Sequence, residues 1–308
     1  MIRNLVENSF NSNLFTGGKR IKSGSGWWNI LTLTVAILVS IPVLTVTANI
    51  FVPTGDIWSH LASTVLPQFV KNSFILMIGV GGGVFIIGVG TAWLVTMCRF
   101  PGSRWFDWLL ILPMAVPAYL MAYTYTDFFA YTGPFQQMIR DFTGWGLGDY
   151  WFPDVRSIEG AVLMMSFVFF PYVYLLTRAA FLEQSTTLLE ASRSLGASST
   201  RSFFKIALPL ARPSIAAGMA LALMETLNDF GTVDYFGVQT FTTGIYRTWF
   251  GLGERPAAAQ LAAFLLFFIL ILILLERQSR SKMNTKQGGT GRFKRLSVYN
   301  LSGWKAWT

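Results

Sequence analysis

The chain has 308 residues, of which 53% are hydrophobic and 13% are charged, and its formal net charge at pH 7 is +9. Soluble domains carry about 25% charged residues, so the composition excludes an ordinary soluble domain and indicates a membrane protein. With one cysteine and one histidine, the chain can form no internal disulfide and cannot build a metal site from thiols.

Uncharged runs along the chain predict an all-α, polytopic membrane protein with six transmembrane helices. A helix needs about 20 apolar residues to cross the hydrocarbon core of a bilayer. A short run, 213–224, reaches that length only if Glu225 and Asp229 also lie within the membrane protein. The other five uncharged runs are 23–55, 72–98, 108–126, 160–177 and 256–275.

The distribution of basic residues predicts that both termini lie in the cytoplasm. With the N-terminus placed inside, all but five of the 24 Lys and Arg residues fall on the cytoplasmic side. Short loops rich in Lys and Arg stay inside, and this arrangement satisfies that rule. The positive net charge is therefore a sign of membrane topology and gives little support to nucleic-acid binding.

The two ends of the chain differ in composition from the predicted transmembrane domain, 27–275. Residues 1–26 are polar and rich in Gly and Ser, which predicts a cytoplasmic tail. Residues 276–308 are basic and Gly-rich, which predicts a linker. The chain turns apolar and aromatic at 301–308, which we interpret as the lead-in to a further span. We therefore expect a further span that this sequence does not include.

Glycine and proline in the predicted spans favour a closely packed bundle that contains a cavity. Gly79 and Gly83 are spaced four apart, as in helix pairs whose backbones approach closely. The third and fourth predicted spans contain Pro113, Pro117 and Pro171. Proline removes a backbone donor and kinks a membrane helix, which is tolerated where neighbours or water satisfy the freed carbonyl.

A polar, basic segment at 186–209 joins the fourth and fifth predicted spans and is expected to form a helical hairpin. Thr187 and Glu190 fit a capping box at the start of its first helix. That helix is expected to run to Leu195 and to stop at Gly196, which suits a left-handed C-terminal position.

The second helix of the hairpin is expected to start at Ser198 or Ser199 and to continue through 203–206. An interruption is expected before Pro209, because the residue before a proline is biased away from helix. A plainer interpretation also stands, in which the segment is an amphipathic connector whose apolar side chains lie on the membrane interface.

These residues resemble the cytoplasmic EAA loop of binding-protein-dependent ABC importer permeases. One position departs from the pattern, because Ser192 stands where the family usually has a second alanine. The resemblance implies the type I ABC importer permease fold and a first hairpin helix that docks on a separate ATPase subunit. It assigns this coupling role to Glu190, Ala191, Ser192, Gly196, Ala197, Ile206, Leu208 and Pro209.

The segments that resemble the ferric-iron subgroup of these permeases are Asn72-Ser73, 112–119, 172–174, 190–213 and 229–247. Permeases of that subgroup usually hold two six-span halves, so the resemblance implies that this chain is an N-terminal half or a truncated product, with 276–308 leading to the second half. The resemblance implies that the chain moves ferric iron across the bacterial inner membrane. It implies ATPase subunits, a periplasmic binding protein and a second permease half as partners, the half being fused, homodimeric or separate. Thiamine, sulfate and phosphonate permeases share much of the pattern and remain alternatives. An ATP-independent secondary carrier, which inverted repeats would favour, is the alternative from another class.

Carboxylates in the fifth predicted span are the best candidates for the substrate route. Glu225 and Asp229 are four apart and so would share a helix face, and ionisable groups within a membrane are functional by default. Carboxylates and phenolates suit ferric iron. We therefore predict a route lined by these two residues with Asn228, and by Tyr119 and Tyr123 one turn apart on the third span.

Structural roles compete with this prediction. The two carboxylates could form an internal ion pair or mark a helix end, and tyrosine is common at membrane interfaces. The sequence contains no Gly-x-x-x-x-Gly-Lys-Ser/Thr motif, so ATP hydrolysis is assigned to a partner subunit, and no cofactor is expected.

Overall fold

The structure is a computed structural model that describes residues 26–146, 148–184, 192, 194–281 and 299–300. Those residues are predominantly helical and fall into two compact units, with the boundary after Phe51. The predicted tail and most of the predicted linker lie outside the described residues.

The first unit contains helix α1 (Gly26–Ala48) and a 3-10 turn (Asn49–Phe51). Within this unit the side chains of α1 from Ile30 to Thr45 are exposed, as expected of a helix that faces lipid. The hydroxyls of Thr34, Ser40 and Thr45 each donate to the carbonyl four residues earlier. These bonds satisfy polar groups at a depth where water is absent.

The second unit consists of helices and two short strands, β1 and β2, which pair in parallel. In chain order its elements are α2 (Asp56–Thr64), α3 (Leu66–Met97), β1 (Cys98–Arg99), α4 (Ser103–Leu109), a 3-10 turn (Leu112–Ala115), α5 (Ala118–Phe129), α6 (Pro134–Thr143), α7 (Ile158–Glu183), α8 (Ser199–Ser202), a π turn (Phe203–Ala207), α9 (Leu208–Asn228), α10 (Gly231–Tyr235), α11 (Phe241–Tyr246), a second π turn (Arg247–Gly251), α12 (Arg255–Ser281) and β2 (Tyr299–Asn300).

Helices α3 and α7 form the centre of the second unit, and α9 packs on both. Glycines of α3 make the close approach possible. A Cβ added at Gly79 would lie 2.7 Å from a methyl of Val162, and one added at Gly83 would collide with the side chain of Ser166. The predicted close packing at Gly79 and Gly83 is therefore confirmed, and it serves the α3–α7 interface.

The third predicted span, 108–126, is not a straight helix. Two helical stretches, Ser103–Ala115 and Ala118–Thr143, meet at an angle of 102°. The break falls at Val116, whose backbone is extended, and Pro117, which stands at the N-cap of α5. A residue before proline is pushed towards extended backbone, which explains the break. We call the residues 114–118 the elbow.

Five helices of the described residues are long and apolar enough to cross a membrane, and the bent pair could supply a sixth. The fifth predicted span reaches spanning length as Ser199–Asn228, 30 residues that include the hairpin's second helix. Helix α12 continues to Ser281, beyond the predicted end of the transmembrane domain at 275. A helix that leaves the membrane can continue through charged residues that water solvates.

Gly88 and Gly90 of α3 make a matched pair for testing the packing of this bundle. A Cβ at Gly88 would lie 2.7 Å from Cβ of Val173 and 3.0 Å from the carbonyl oxygen of Phe170, whereas none of the described atoms lies within 4 Å of one at Gly90. We expect Gly88→Ala to destabilise the protein by about 1–3 kcal/mol through overpacking. Gly90→Ala should leave thermal unfolding in detergent unchanged or shift it upward. Equal unfolding temperatures for the two variants would contradict this account of the interface.

Candidate functional site

A polar cavity of about 360 Å³ lies at the elbow, between α7 and the C-terminal end of α9. Glu225, Asn228 and Asp229 line it from the end of α9, and Tyr172 lines it from the middle of α7. None of the described residues that line it is basic. The structure thus brings together three of the residues predicted for a substrate route.

Asp229 caps the next helix as well as lining the cavity. Its carboxylate accepts from the backbone N–H of Thr232 at 2.9 Å, from that of Val233 at 3.2 Å and from the hydroxyl of Thr232 at 2.9 Å. These bonds satisfy donors at the start of α10 that no helical carbonyl reaches. Part of the predicted role of Asp229 is therefore structural.

The predicted shared helix face of Glu225 and Asp229 needs one correction. Helix α9 ends at Asn228, and the backbone of Asp229 is extended. The N–H of Asp229 still donates to the carbonyl of Glu225 at 2.9 Å, so the two residues stay one turn apart. The carboxylate of Glu225 is exposed and makes no hydrogen bond or ion pair with the residues that the structure describes.

The two predicted tyrosines do not line this cavity. The ring of Tyr123 packs on that of Tyr235 with centroids 4.0 Å apart, and Cβ of Tyr119 faces Gly231. Both tyrosines therefore hold α5 against α10. The phenol in the cavity is that of Tyr172, whose position in the middle of an apolar span, away from either interface, was the available signal in the sequence.

The hairpin between α7 and α9 is the second candidate site, and its corner has the predicted geometry. Gly196 has a φ of +78°, in the left-handed region. The N–H of Ala197 donates to the carbonyl of Ser192 at 3.0 Å, a six-residue closure typical of a Schellman C-cap. Ser198 then caps α8 by accepting from the N–H of Arg201 at 3.3 Å. The predicted capping box at Thr187, and Glu190 and Ala191, lie outside the described residues.

The expected interruption before Pro209 is wrong, because the chain stays helical through this proline. Instead, the preceding residues widen into a π turn, in which the N–H of Leu208 donates to the carbonyl of Phe203. Pro209 has no N–H to donate, so a local change of register is the less costly response. The side-chain amide of Gln184, just after α7, donates to the carbonyl of Ala207 at 2.9 Å and ties the turn to α7.

Apolar side chains of the π turn enter the bundle more than an interfacial connector would. Phe203 and Ile206 pack against the main core, as does Leu208 at the start of α9, while Phe204 is exposed. The ring of Phe203 lies 4.8 Å from that of Trp93 in α3, measured between centroids. The hairpin is therefore joined to the transmembrane helices by packing as well as by the chain.

An ion pair that the sequence did not reveal fastens α4 to α7. Arg178 donates from Nε and Nη2 to the two carboxylate oxygens of Asp107, at 2.8 and 2.9 Å. The hydroxyl of Tyr174 donates to the same carboxylate at 3.1 Å. Bidentate pairs of this kind are geometrically specific. Their partners are 71 residues apart in the chain, so no local pattern could have identified them.

Comparisons with known proteins agree with this architecture. A family model described as "Binding-protein-dependent transport system inner membrane component" matches residues 84–284. The chain is 26% identical over 237 residues to the Fe(3+)-transport system permease protein FbpB 2 of Haemophilus influenzae, covering 77% of this chain and 42% of that protein. It thus spans less than half the length of this relative.

Other relatives are nearer in length. The sulfate transport system permease protein CysT of Salmonella typhimurium is 28% identical over 237 residues, which cover 74% of this chain and 76% of that protein. The molybdenum transport system permease protein ModB of Escherichia coli is 29% identical over 194 residues, which cover 61% and 82%.

Among solved structures, a chain of a bacterial ABC transporter that imports the acidic polysaccharide alginate superposes with a TM-score of 0.66 at 17% identity, covering 84% of this chain and 96% of that one. A chain of the MetNI methionine ABC transporter superposes with a TM-score of 0.52 at 18% identity, covering 71% and 98%. These likenesses show the fold, and the family match covers most of the sequence. The chain therefore belongs to the family of inner membrane components of binding-protein-dependent transport systems.

Proposed function

We propose that this chain is the transmembrane permease subunit of an ATP-driven importer and that its substrate is ferric iron. Family membership supports the transport role. The hairpin supports an ATPase partner, because its closed corner at Gly196 presents a fixed surface between two membrane helices. Both termini would lie in the cytoplasm, since that orientation places most basic residues inside.

The proposed substrate is chosen on the charge of the elbow cavity. Glu225 and Asp229 bring carboxylates, Asn228 an amide and Tyr172 a phenol, with no basic side chain in the lining. Such a cavity repels an oxyanion through Coulomb interaction and attracts a cation. Hard oxygen donors are also the ligands that ferric iron prefers.

The acidic lining of the cavity also ranks the alternative substrates. Sulfate and phosphonate, and the molybdate carried by one group of relatives, are anions that an acidic cavity disfavours. Thiamine is a cation and remains the second candidate on electrostatic grounds. A secondary carrier, the alternative from another class, would have no use for a hairpin built to dock an ATPase.

A second permease half is part of the proposal. Glu225 and Asn228 are exposed on this chain, and ionisable residues within membrane segments almost always face a bundle interior or a water-filled cavity. A facing half, whether fused, identical or separate, would cover this polar surface and complete the route. ATPase subunits would bind at the hairpin, and a periplasmic binding protein would deliver substrate at the opposite face.

Uptake by proteoliposomes tests the substrate. The full-length protein is reconstituted with its ATPase and binding protein and is given ferric iron, sulfate, molybdate or thiamine as radiolabelled solutes. We expect ATP-dependent accumulation of iron and no accumulation of the anions. Uptake of sulfate or molybdate without iron would overturn the iron assignment but keep the importer, and uptake without ATP would identify a carrier.

Glu225 and Asp229 should respond differently to substitution, because only Asp229 caps a helix. Glu225→Gln keeps the shape of the side chain, so we expect iron uptake to fall about tenfold with thermal stability unchanged. Asp229→Ala should lower stability by about 1–2 kcal/mol through loss of the cap. Glu159→Gln, an exposed carboxylate in the first turn of α7, is the control and should transport normally. Normal uptake by Glu225→Gln would remove Glu225 from the substrate route.

Gly196 tests the hairpin as the ATPase contact. A β-branched residue such as valine costs about 1–2 kcal/mol in the left-handed region. Because the corner would then lose its shape, Gly196→Val should weaken co-purification of the ATPase roughly tenfold. Gly196→Asn is the matched control, since asparagine tolerates this conformation and should retain most of the binding. Equal ATPase recovery with the valine variant would show that the corner does not present the docking surface.

A further inference from the structure

Two serine hydroxyls meet inside the corner of the hairpin. The Oγ atoms of Ser192 and Ser202 lie 2.5 Å apart, and either can be the donor. The residues are 6% and 1% exposed. A buried hydroxyl that loses its partner has no water to replace it, so this hydrogen bond is one that the folded hairpin strongly favours.

The corner is closed by the side-chain hydrogen bond between the two serines and by two backbone hydrogen bonds. Ser192 also accepts through its carbonyl from Ala197 at the C-cap. Ser202 is the last residue of α8, and its N–H donates to the carbonyl of the N-cap residue Ser198 at 2.9 Å. The caps fix the local backbone, and among the described residues the Ser192–Ser202 bond joins the side chains on the two sides of the corner.

Ser202 is also the residue at which the hairpin meets the bundle. The next residue, Phe203, packs its ring 4.8 Å from that of Trp93 in α3, and Trp93 lies 5.7 Å from Phe181 in α7, both between centroids. A force applied at Ser192 therefore reaches both helices through one hydrogen bond and a contiguous set of aromatic contacts.

We propose that Ser192 and Ser202 form a positioning pair that sets the angle of the hairpin corner to the transmembrane helices. In the importer proposed above, on which this role rests, the pair makes movement of the docked ATPase move α3, α7 and α9 as well. Without the pair, part of the movement of a bound ATPase would be lost at the corner.

Single and double alanine variants distinguish a positioning role from a contribution to stability alone. Ser202→Ala leaves Ser192 buried without a partner and should lower the unfolding temperature. Ser192→Ala with Ser202→Ala removes both polar groups, so stability should largely return. The angle should remain loose in the double variant, because alanine side chains cannot bond across the corner.

Spin labels measure this looseness without any partner protein. One label replaces Leu195, which is 87% exposed at the corner, and the other replaces Leu182, which is 44% exposed in the last turn of α7. Cys98 is buried, and its labelling is checked in the chain without added cysteines. We expect a narrow distance distribution for the unmodified pair and for the exposed control Ser199→Ala, and a clearly broader one for the double alanine variant. Equal widths in all three would overturn the proposal.

The ratio of iron transported to ATP hydrolysed then tests the role in transport. Measured at equal ATPase occupancy, the double alanine variant is expected to lose about fivefold in this ratio, roughly what one hydrogen bond contributes. A broadened distribution with an unchanged ratio would overturn the coupling role. Absence of uptake by the unmodified chain would count against the proposed function, whereas the label distances test the positioning pair independently.

Discussion

Inside a membrane, a backbone group that loses its partner finds no water, and this constraint shapes both candidate sites. Proline in the interior of a helix creates such a group, because it has no N–H to donate to the carbonyl four residues earlier. At Pro117 the chain responds by breaking, and the elbow leaves room for a cavity beside α7 and α9. At Pro209 it responds by widening into a π turn, and the amide of Gln184 bonds to a carbonyl of that turn. Both departures from regular helix occur where the proposed function needs them.

The two sites are joined by the same pair of helices. Helix α9 runs from the π turn to Glu225 and Asn228 at the cavity, and its 21 residues span about 31 Å. The middle of helix α7 places Tyr172 in the cavity. Near the C-terminal end of α7, Arg178 binds Asp107 of α4, and Phe181 packs on Trp93, which contacts the hairpin. In this account a shift at the hairpin reaches the cavity along rigid helices, and the Ser192–Ser202 bond decides how much of the shift enters them.

Local signals in the sequence predicted the fold well, and long-range geometry explains what they missed. Uncharged runs identified the membrane helices, and Gly196 and Ser198 marked the hairpin corner because their roles depend on adjacent backbone. Pro113 and Pro117 predicted an irregularity in the third span, but no local pattern distinguished a kinked helix from a break with a bend of 102°. The capping role of Asp229, the place of Tyr172 in the cavity and the Asp107–Arg178 pair depend on residues brought together by packing, which a single sequence does not reveal.

The central claim is that the elbow cavity is open to water and attracts cations. A cysteine at Met114, which lines it, can be modified with a cationic trimethylammonium or an anionic sulfonate methanethiosulfonate. Ile86, 71% exposed in the middle of α3, supplies the lipid-facing control and should react with neither reagent. The account predicts that the cationic reagent modifies Met114→Cys much faster, and that Glu225→Gln reduces the difference. Equal rates, a preference for the anion, or no reaction at all would contradict it.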